Sequence, residues 1–322
     1  MTDTPIVDTE STQPAALKSE KPSVNKSLAG KDLPENWPQI ATDQEISGKF
    51  EGFDPQKDVL AVKLALELQL GDKQLAYLPV EHTNNAIHPQ FAAIETRFKK
   101  IQPQVVLHEG PSNSAEFDSR EQAMQFGEVG FLHYLVQEHN RNRSGNEQIV
   151  SIESADIPDA ELIMQFQDRR HSNGEIAVYD ILRKINVTAE QIRRDASIDD
   201  VDRKVRLENL TKILQANFQK YLTEHGMPNL FGLLPRTDGK EWNQENITEE
   251  VKNQTGQEIS ANLTQLDFDK FRKMFEEERV FRDTHIVKTI ADKLQTSDKV
   301  LAVFGSSHVL REEKALRQLF GQ

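Results

Sequence analysis

The sequence contains no cysteine. This absence excludes disulfide bonds, thiolate metal sites and a cysteine nucleophile. The sequence also lacks any apolar run approaching the roughly 20 residues that a bilayer-spanning helix needs. The first residues have neither the basic start nor the apolar stretch of a secretory signal peptide. We therefore expect a cytoplasmic protein, or one exported without a classical signal peptide.

The chain is also poor in positive charge. Its net charge is -13, and it has no long run of lysine or arginine. A broad basic surface for nucleic acid or an anionic membrane is therefore not expected. The 322 residues, 37% of them hydrophobic, are enough for a globular domain with polar extensions.

The two ends of the chain differ in composition. Residues 1–45 are rich in Thr, Ser, Pro, Lys and Glu and poor in aromatic residues. Such a segment buries too little apolar surface to offset its conformational entropy, so we expect a disordered tail. Within it, Pro34, Trp37 and Pro38 are candidates for the first docking onto the folded part. Residues 46–322 are expected to form a single α/β domain.

Apolar periodicity predicts strands alternating with helices. Alternation from Leu60 to Leu70 predicts a strand, and Gly71-Asp72 predicts a turn into a second strand, Lys73–Val80. Three later apolar segments predict strands, each followed by a helical pattern: 104–108, 148–152 and 299–304. Such alternation favours a central, mostly parallel, mixed sheet flanked by helices. Residues from about 159 to 296 are mostly helical in pattern and predict a helical insertion.

A chemically capable side chain follows each of four predicted strands. These residues are His82, Glu109, Glu153 and His308. Parallel strands place their carboxyl ends at one edge of the sheet, where ligands commonly bind. Taken singly, each residue also fits an ordinary role, as a turn histidine or as an acid at a helix start. Their repetition at four strand ends favours a shared site. The histidines at 88, 108, 133 and 139 are expected to be structural or exposed.

Two chemistries fit this residue set. His82, Glu109 and His308 are suitable ligands for a divalent cation that activates water. A histidine oriented by a glutamate could instead activate water without a metal. Both chemistries predict hydrolysis, with nearby polar groups that bind substrate: Asn84, Ser112, Asn113 and Ser307. The sequence has no Gly-X-Ser-X-Gly, His-Glu-X-X-His or Walker A motif.

Arg282 lies on the helical segment before the last predicted strand. It could reach the site and stabilise negative charge. It could equally lie at the helix surface. The nearby Arg279 and Asp283, at i,i+4 spacing, could likewise form a simple surface pair. The spacing leaves both alternatives open.

Four short motifs carry a resemblance to a known superfamily. They are Pro79-Val80-Glu81-His82, Val106-Leu107-His108-Glu109, Arg282-Asp283 and Gly305-Ser306-Ser307-His308. From about residue 58 to 322, the layout resembles the superfamily of TraB/GumN and Tiki proteases, ChaN-like proteins and erythromycin esterase-type hydrolases. Pro79 departs from that pattern, in which a glycine is usual. Glu153 stands where some members carry another acid.

The resemblance implies a fold of two related halves with a helical insertion. It implies hydrolysis of a small molecule or peptide, dependent on a divalent metal (manganese, cobalt or zinc) in the protease-like branch and metal-free in the esterase-like branch. In this comparison His82, Glu109 and His308 are the metal ligands or water-activating groups, with Glu153 and Arg282 supporting them. Two alternatives stay open. One is a ChaN-like haem- or iron-binding protein, and the other is an inactive interaction module that Pro79 would favour.

Overall fold

The computed structural model describes residues 28, 32–50, 53, 58–110, 116–143, 150–194, 198–216, 239, 243, 249 and 269–322. Most of the predicted disordered tail therefore lies outside the described residues. Within it, Trp37 is buried, and its indole N–H donates to the carbonyl oxygen of Ala315 at 3.0 Å. This docking agrees with the prediction for Trp37. Trp37, which precedes the predicted boundary at residue 45, thus belongs to the described core.

The described strands form a single mixed sheet. They are β1 (Leu66–Leu70), β2 (Lys73–Val80), β3 (Val105–His108), β4 (Ser151–Ser154) and β5 (Lys299–Gly305). Their order is β1-β2-β5-β3-β4. β1 and β2 are an antiparallel hairpin, whereas β2, β5, β3 and β4 are all parallel. The predicted α/β class and mostly parallel sheet are confirmed.

Helices cover both faces of the sheet. Those that precede the insertion are α1 (Asp43–Ser47), α2 (Leu60–Lys63), α3 (Gln90–Ile101), α4 (Arg120–Met124) and α5 (Gly127–Asn142). The remainder are α6 (Asp159–Asp168), α7 (Asn173–Arg194), α8 (Asp200–Ala216), α9 (Asp269–Thr296) and α10 (Ser306–Leu319). A short 3-10 helix spans Gly48–Phe50.

The central strand β5 shows why the sheet is buried on both faces. Val300 and Ala302 pack in one apolar cluster with α9 and α10. Leu301 and Val303 pack in another cluster with α3 and α5. Successive side chains of a strand point to opposite faces, so a continuous apolar run supplies both cores.

The described part of the helical insertion has its own core. Phe166 of α6, Tyr179 of α7 and Phe281 of α9 are buried in one cluster. Most of residues 217–268 lie outside the described residues, so the insertion is observed at its two ends. Among the described residues, no helix combines the length and apolar character needed to cross a membrane.

Two strand predictions need correction. The alternating segment begins as α2, and β1 starts only at Leu66. Leu60 and Ala61 are both buried although they are consecutive, which a one-faced strand does not allow. The strand predicted at 148–152 is observed as β4, Ser151–Ser154. Glu153 therefore lies within β4 and not beyond its end.

Candidate functional site

Three of the predicted residues meet at the carboxyl edge of the sheet. His82 lies two residues beyond β2, Glu109 directly follows β3, and His308 lies in the first turn of α10, which leaves β5 without a loop. Because β2, β5 and β3 are neighbours in the sheet, their ends lie side by side. His82 Nε2 lies 3.4 Å from Glu109 Oε2, and His308 Nε2 lies 3.3 Å from Glu109 Oε1.

Glu109 is the centre of the site because both of its oxygens accept from several donors. Oε1 faces His308 and accepts from Arg282 Nη2 at 3.1 Å. Oε2 faces His82 and accepts from the backbone N–H of Gly305 at 3.0 Å. Burial alone would raise the pKa of Glu109, but the hydrogen bonds from His308 and His82 and the charge of Arg282 lower it well below its usual range. Glu109 is therefore a fixed anion.

Gly305 leaves space for this contact. A Cβ placed on it would lie 3.1 Å from Glu109 Oε2 and 3.2 Å from His82 Nε2. Those separations are tighter than ordinary van der Waals contacts, and the neighbours are site groups whose positions matter. The glycine of the last motif is thus explained by the close approach of two functional side chains.

His82 is oriented from its other nitrogen. Its Nδ1–H donates to Glu128 Oε1 at 2.6 Å, and Glu128 is buried in the first turn of α5. The His82 side chain is 45% exposed, so it is the member of the trio that solvent reaches most readily. Hydrogen bonds to Glu109 and Glu128 raise its pKa from 6.5 to about 10, although burial opposes the shift.

His308 is buried and held by carboxylates on both nitrogens. Its Nδ1–H donates to Asp283, whose other oxygen accepts from Arg311 Nε at 2.6 Å. Glu312 Oε1 lies 3.6 Å from the same His308 nitrogen, and Tyr77 donates to Glu312 Oε2 at 2.8 Å. Burial opposes protonation of His308, but the hydrogen bonds to Asp283 and Glu109 raise its pKa well above the usual range.

Arg282 reaches the site, which settles the alternatives that spacing left open. Its Nε and Nη2 donate to the two oxygens of Asp156 at 2.9 and 3.1 Å, and Nη2 also donates to Glu109. This bidentate contact fixes the guanidinium plane. The paired charges of Asp156 and Glu109 outweigh burial and raise the pKa of Arg282 further above its already high value.

The other predicted site residues lie elsewhere. Glu153 forms an ion pair with Lys293 at 2.5 Å, so the structure does not place it beside the trio that it was predicted to support. Asn84 is exposed in the loop after β2, and Ser307 Oγ accepts from Arg311 Nη2 at 3.3 Å. Ser112 and Asn113 lie outside the described residues.

Three carboxylates of the site were not assigned from sequence. They are Glu128, Asp156 and Asp283, which hold His82, Arg282 and His308 respectively. Asp156 was missed because the predicted β4 ended two residues early, which placed Glu153 at the strand end. Asp283 stood in a quoted motif without an assigned role. Glu128 gave no sequence signal, since it reaches His82 from a helix 46 residues later.

Pro79 does not prevent His82, the histidine of the first motif, from reaching the site. It lies in β2 opposite Phe304 of β5, and β1 pairs with β2 only as far as Tyr77. Pro79 is therefore beyond the end of β1, a place in a sheet that tolerates proline better than the middle of a strand. His82, three residues later, still contacts Glu109.

The chain has no match in the comparisons with known proteins. No protein-family model, curated protein or solved structure matches it. The superfamily resemblance therefore stays a prediction.

The donor set fits a metal ion poorly. Asp283, His308 and Glu312 offer atoms that all lie within 4.8 Å of one another, which is the spacing of a candidate metal group. Arg311 already neutralises Asp283, and Tyr77 occupies one oxygen of Glu312. At the predicted trio of His82, Glu109 and His308, the positive charge that a metal would bring is already supplied by Arg282, which donates to Glu109. The arrangement is better suited to proton transfer at His82.

Proposed function

We propose that this protein is a hydrolase in which His82 transfers protons to and from water at the carboxyl edge of the sheet. The observation that carries the proposal is the pairing of His82 and His308 on opposite oxygens of Glu109, with each Nδ1 held by a separate carboxylate. A histidine oriented by a carboxylate through Nδ1 is the arrangement used in general acid–base catalysis.

His82 is assigned the reacting role because it is the most accessible of the three. Its neutral Nε2 accepts a proton from water as the water oxygen bonds to the substrate carbonyl carbon. The resulting imidazolium then returns that proton to the departing oxygen or nitrogen as the carbonyl–heteroatom bond breaks. Glu128 holds the ring orientation through both steps.

The remaining residues are assigned to charge and position. Glu109 contacts both imidazole rings and fixes their positions. Its lowered pKa keeps its carboxylate ionised during both proton transfers. Arg282 and the protonated His308 are cations beside it and are placed to stabilise negative charge that develops on the substrate. The substrate class that we propose is an ester or amide of a small molecule or peptide.

The raised pKa of His82 gives this proposal a pH signature. With a pKa of about 10, His82 is mostly protonated at neutral pH, and its basic form grows as pH rises. The water step requires that basic form. We therefore expect kcat/KM to rise with pH and to level off near pH 10.

The test is a panel of ester and peptide substrates with the purified chain, in the presence and absence of a chelator. His82→Gln should lower kcat/KM by about 100-fold or more, the usual worth of a general base, and Glu109→Gln should lower it by a similar factor because Glu109 positions both histidines. His88→Gln is the matched control, since His88 lies in the same loop and does not contact Glu109. Full activity of both site variants on a hydrolysed substrate would refute the assignment.

The same panel separates the metal-dependent branch of hydrolysis from the proposed one. Loss of activity on chelation, with recovery on adding Mn²⁺, Co²⁺ or Zn²⁺, would replace the metal-free mechanism with one in which His82, Glu109 or His308 binds metal. A Soret band on adding haem without hydrolysis would favour the haem-binding alternative. Absence of both would favour the non-catalytic module.

A further inference from the structure

A second pair of histidines lies behind the site and takes no part in the proposed reaction. His108 is the last residue of β3, and His133 lies on α5. Their ring centroids are 5.4 Å apart, with the planes inclined at 60°. His108 is 0% exposed and His133 is 8% exposed. The two imidazoles thus face each other in the interior.

Each ring has a nitrogen that is not satisfied. His108 Nδ1 contacts the carbonyl oxygen of Glu109 at 3.0 Å, and because a carbonyl only accepts, that nitrogen carries the proton. In the neutral ring Nε2 is then a lone pair. Among the described residues, neither His108 Nε2 nor His133 Nε2 has a hydrogen-bond partner. Buried polar atoms are nearly always paired, so two such nitrogens together require an explanation.

The surroundings suit a small cation. The carboxylates of Glu128 and Asp156 act on His108 in the direction that favours positive charge. Both rings are buried, and burial disfavours the charged imidazolium, so each neutral ring keeps a nitrogen lone pair. The site therefore combines neutral nitrogen ligands with a negative potential.

We propose that His108 and His133 bind one transition-metal ion that prefers imidazole nitrogen, such as Zn²⁺ or Cu⁺, through their two Nε2 atoms. Metal–nitrogen bonds of about 2 Å to each ring are compatible with rings separated by 5.4 Å. The Nδ1–H bond from His108 to a backbone carbonyl is the support that metal-binding histidines usually have, because it fixes the tautomer and the ring orientation.

This ion would tie the end of β3 to α5. β3 leads directly into Glu109, and α5 carries Glu128. The bound ion would therefore fix the positions of the two carboxylates that contact the two nitrogens of His82. The proposal does not depend on hydrolysis. It concerns a site that shares no side chain with the trio of His82, Glu109 and His308.

The experiment is titration of the chelator-stripped full chain with Zn²⁺ and, under reducing conditions, with Cu⁺, each against a competing chromophoric chelator. Wild-type protein should bind one equivalent of at least one of the two ions and should melt at a higher temperature when loaded. His133→Phe should lose that equivalent. His139→Phe is the matched control and should retain it, because His139 lies on the same helix and contacts Phe98 edge to face.

A second readout on the wild-type chain covers the case in which the variant does not fold. Nitrogen NMR of the histidine rings should show the Nε2 resonances of His108 and His133 shifting with the first equivalent of ion, while those of His82 and His308 stay in place. Failure of both ions to bind, which would leave a bridging water as the occupant, would overturn the proposal. Binding that survives in His133→Phe but is lost in His308→Ala would overturn it as well.

Discussion

The backbone N–H of Gly305 donates to Oε2 of Glu109 over 3.0 Å. This bond joins the end of β5 to the end of β3, whose strands pair with His108 opposite Val303. The same carboxylate oxygen faces His82, which follows the strand on the other side of β5. A main-chain donor therefore positions the carboxylate between the two histidines, and the site depends on the register of the three central strands.

Gly305→Ala should disturb the site more than the fold. The added Cβ would crowd Glu109 Oε2 and His82 Nε2, while the backbone φ of -50° at this position suits any residue. Displacing a reacting group by a fraction of an ångström to 1 Å costs up to about 100-fold in rate. We expect kcat/KM to fall by about 10- to 100-fold with little change in the melting temperature, as measured by kinetics and calorimetry.

Gly130→Ala provides the contrast. Its Cβ would collide with the carbonyl oxygen of Ala123 and the side chain of Phe126, away from the trio. This variant should lower the melting temperature more than Gly305→Ala does, and its folded fraction should lose less activity, because the clash reaches the trio only through Glu128 on the same helix. Equal losses of activity in the two variants would contradict the special role of Gly305.

Glu128→Gln should move the pH profile. The negative charge of Glu128 helps to raise the pKa of His82, so its removal lowers that pKa. An opposite charge at hydrogen-bond distance is typically worth about one unit or more. We expect the rising limb of kcat/KM to shift to lower pH by about one unit. A titration of the His82 ring by NMR should show the same shift, and an unchanged limb would exclude His82 as its origin.

His82 should also make stability depend on pH. Its pKa is raised from 6.5 to about 10 in the folded protein, so the fold binds that proton more tightly than the unfolded chain does. The stabilisation is fully present below pH 6.5 and is lost as pH rises towards 10. His82→Gln should therefore flatten the decline in unfolding free energy over that range. Denaturant titrations at several pH values measure it, and identical slopes would contradict the raised pKa.

Glu312 should behave as a neutral acid beside His308. Burial and the charge of Asp283 raise the pKa of Glu312, which favours the protonated form of its carboxyl. Glu312→Gln imitates that state and should change stability little at pH 7. Glu312→Ala leaves Tyr77 without its partner in the core and should cost about 1–3 kcal/mol. Chemical denaturation compares them; a larger loss for the glutamine variant would show that the carboxylate is ionised.

Asp156→Asn tests which acid supports Arg282. The asparagine keeps the size of the side chain but removes the charge that pairs with the guanidinium and one of its two accepting oxygens. We expect kcat/KM to fall by about tenfold or more, as for loss of one well-placed electrostatic contact. Glu153→Gln, which affects only the pair with Lys293, is the comparison. A loss confined to Glu153→Gln would restore the role predicted from sequence.

Much of the architecture follows from the sequence because local apolar patterns decide it. The run 300–304 predicts a strand buried on both faces, and β5 is the central strand of the sheet. Prediction was less accurate where a pattern fits two structures. Leu60 to Leu70 alternates throughout, yet its first turn is helical because Leu60 and Ala61 are both drawn into the core.

Prediction of the site residues depended on where each strand was expected to end. A parallel sheet places groups after successive strands at one edge, which is why His82, Glu109 and His308 were found together. The same reasoning selected Glu153 because β4 was predicted to end two residues too early. With the observed end of β4, the acid that follows the strand is Asp156. Asp156, two residues beyond Ser154, is the acid that reaches Arg282.

The sequence by itself determined the α/β class and the three residues that meet at the carboxyl edge, because strand periodicity and strand ends are local properties. Only the tertiary structure decided how each of them is held. Glu128, Asp156 and Asp283 come from helices and loops far along the chain, and no spacing rule relates them to the side chains that they contact. The pairing of His108 with His133 has the same origin, since packing of α5 against β3 brings the two rings together.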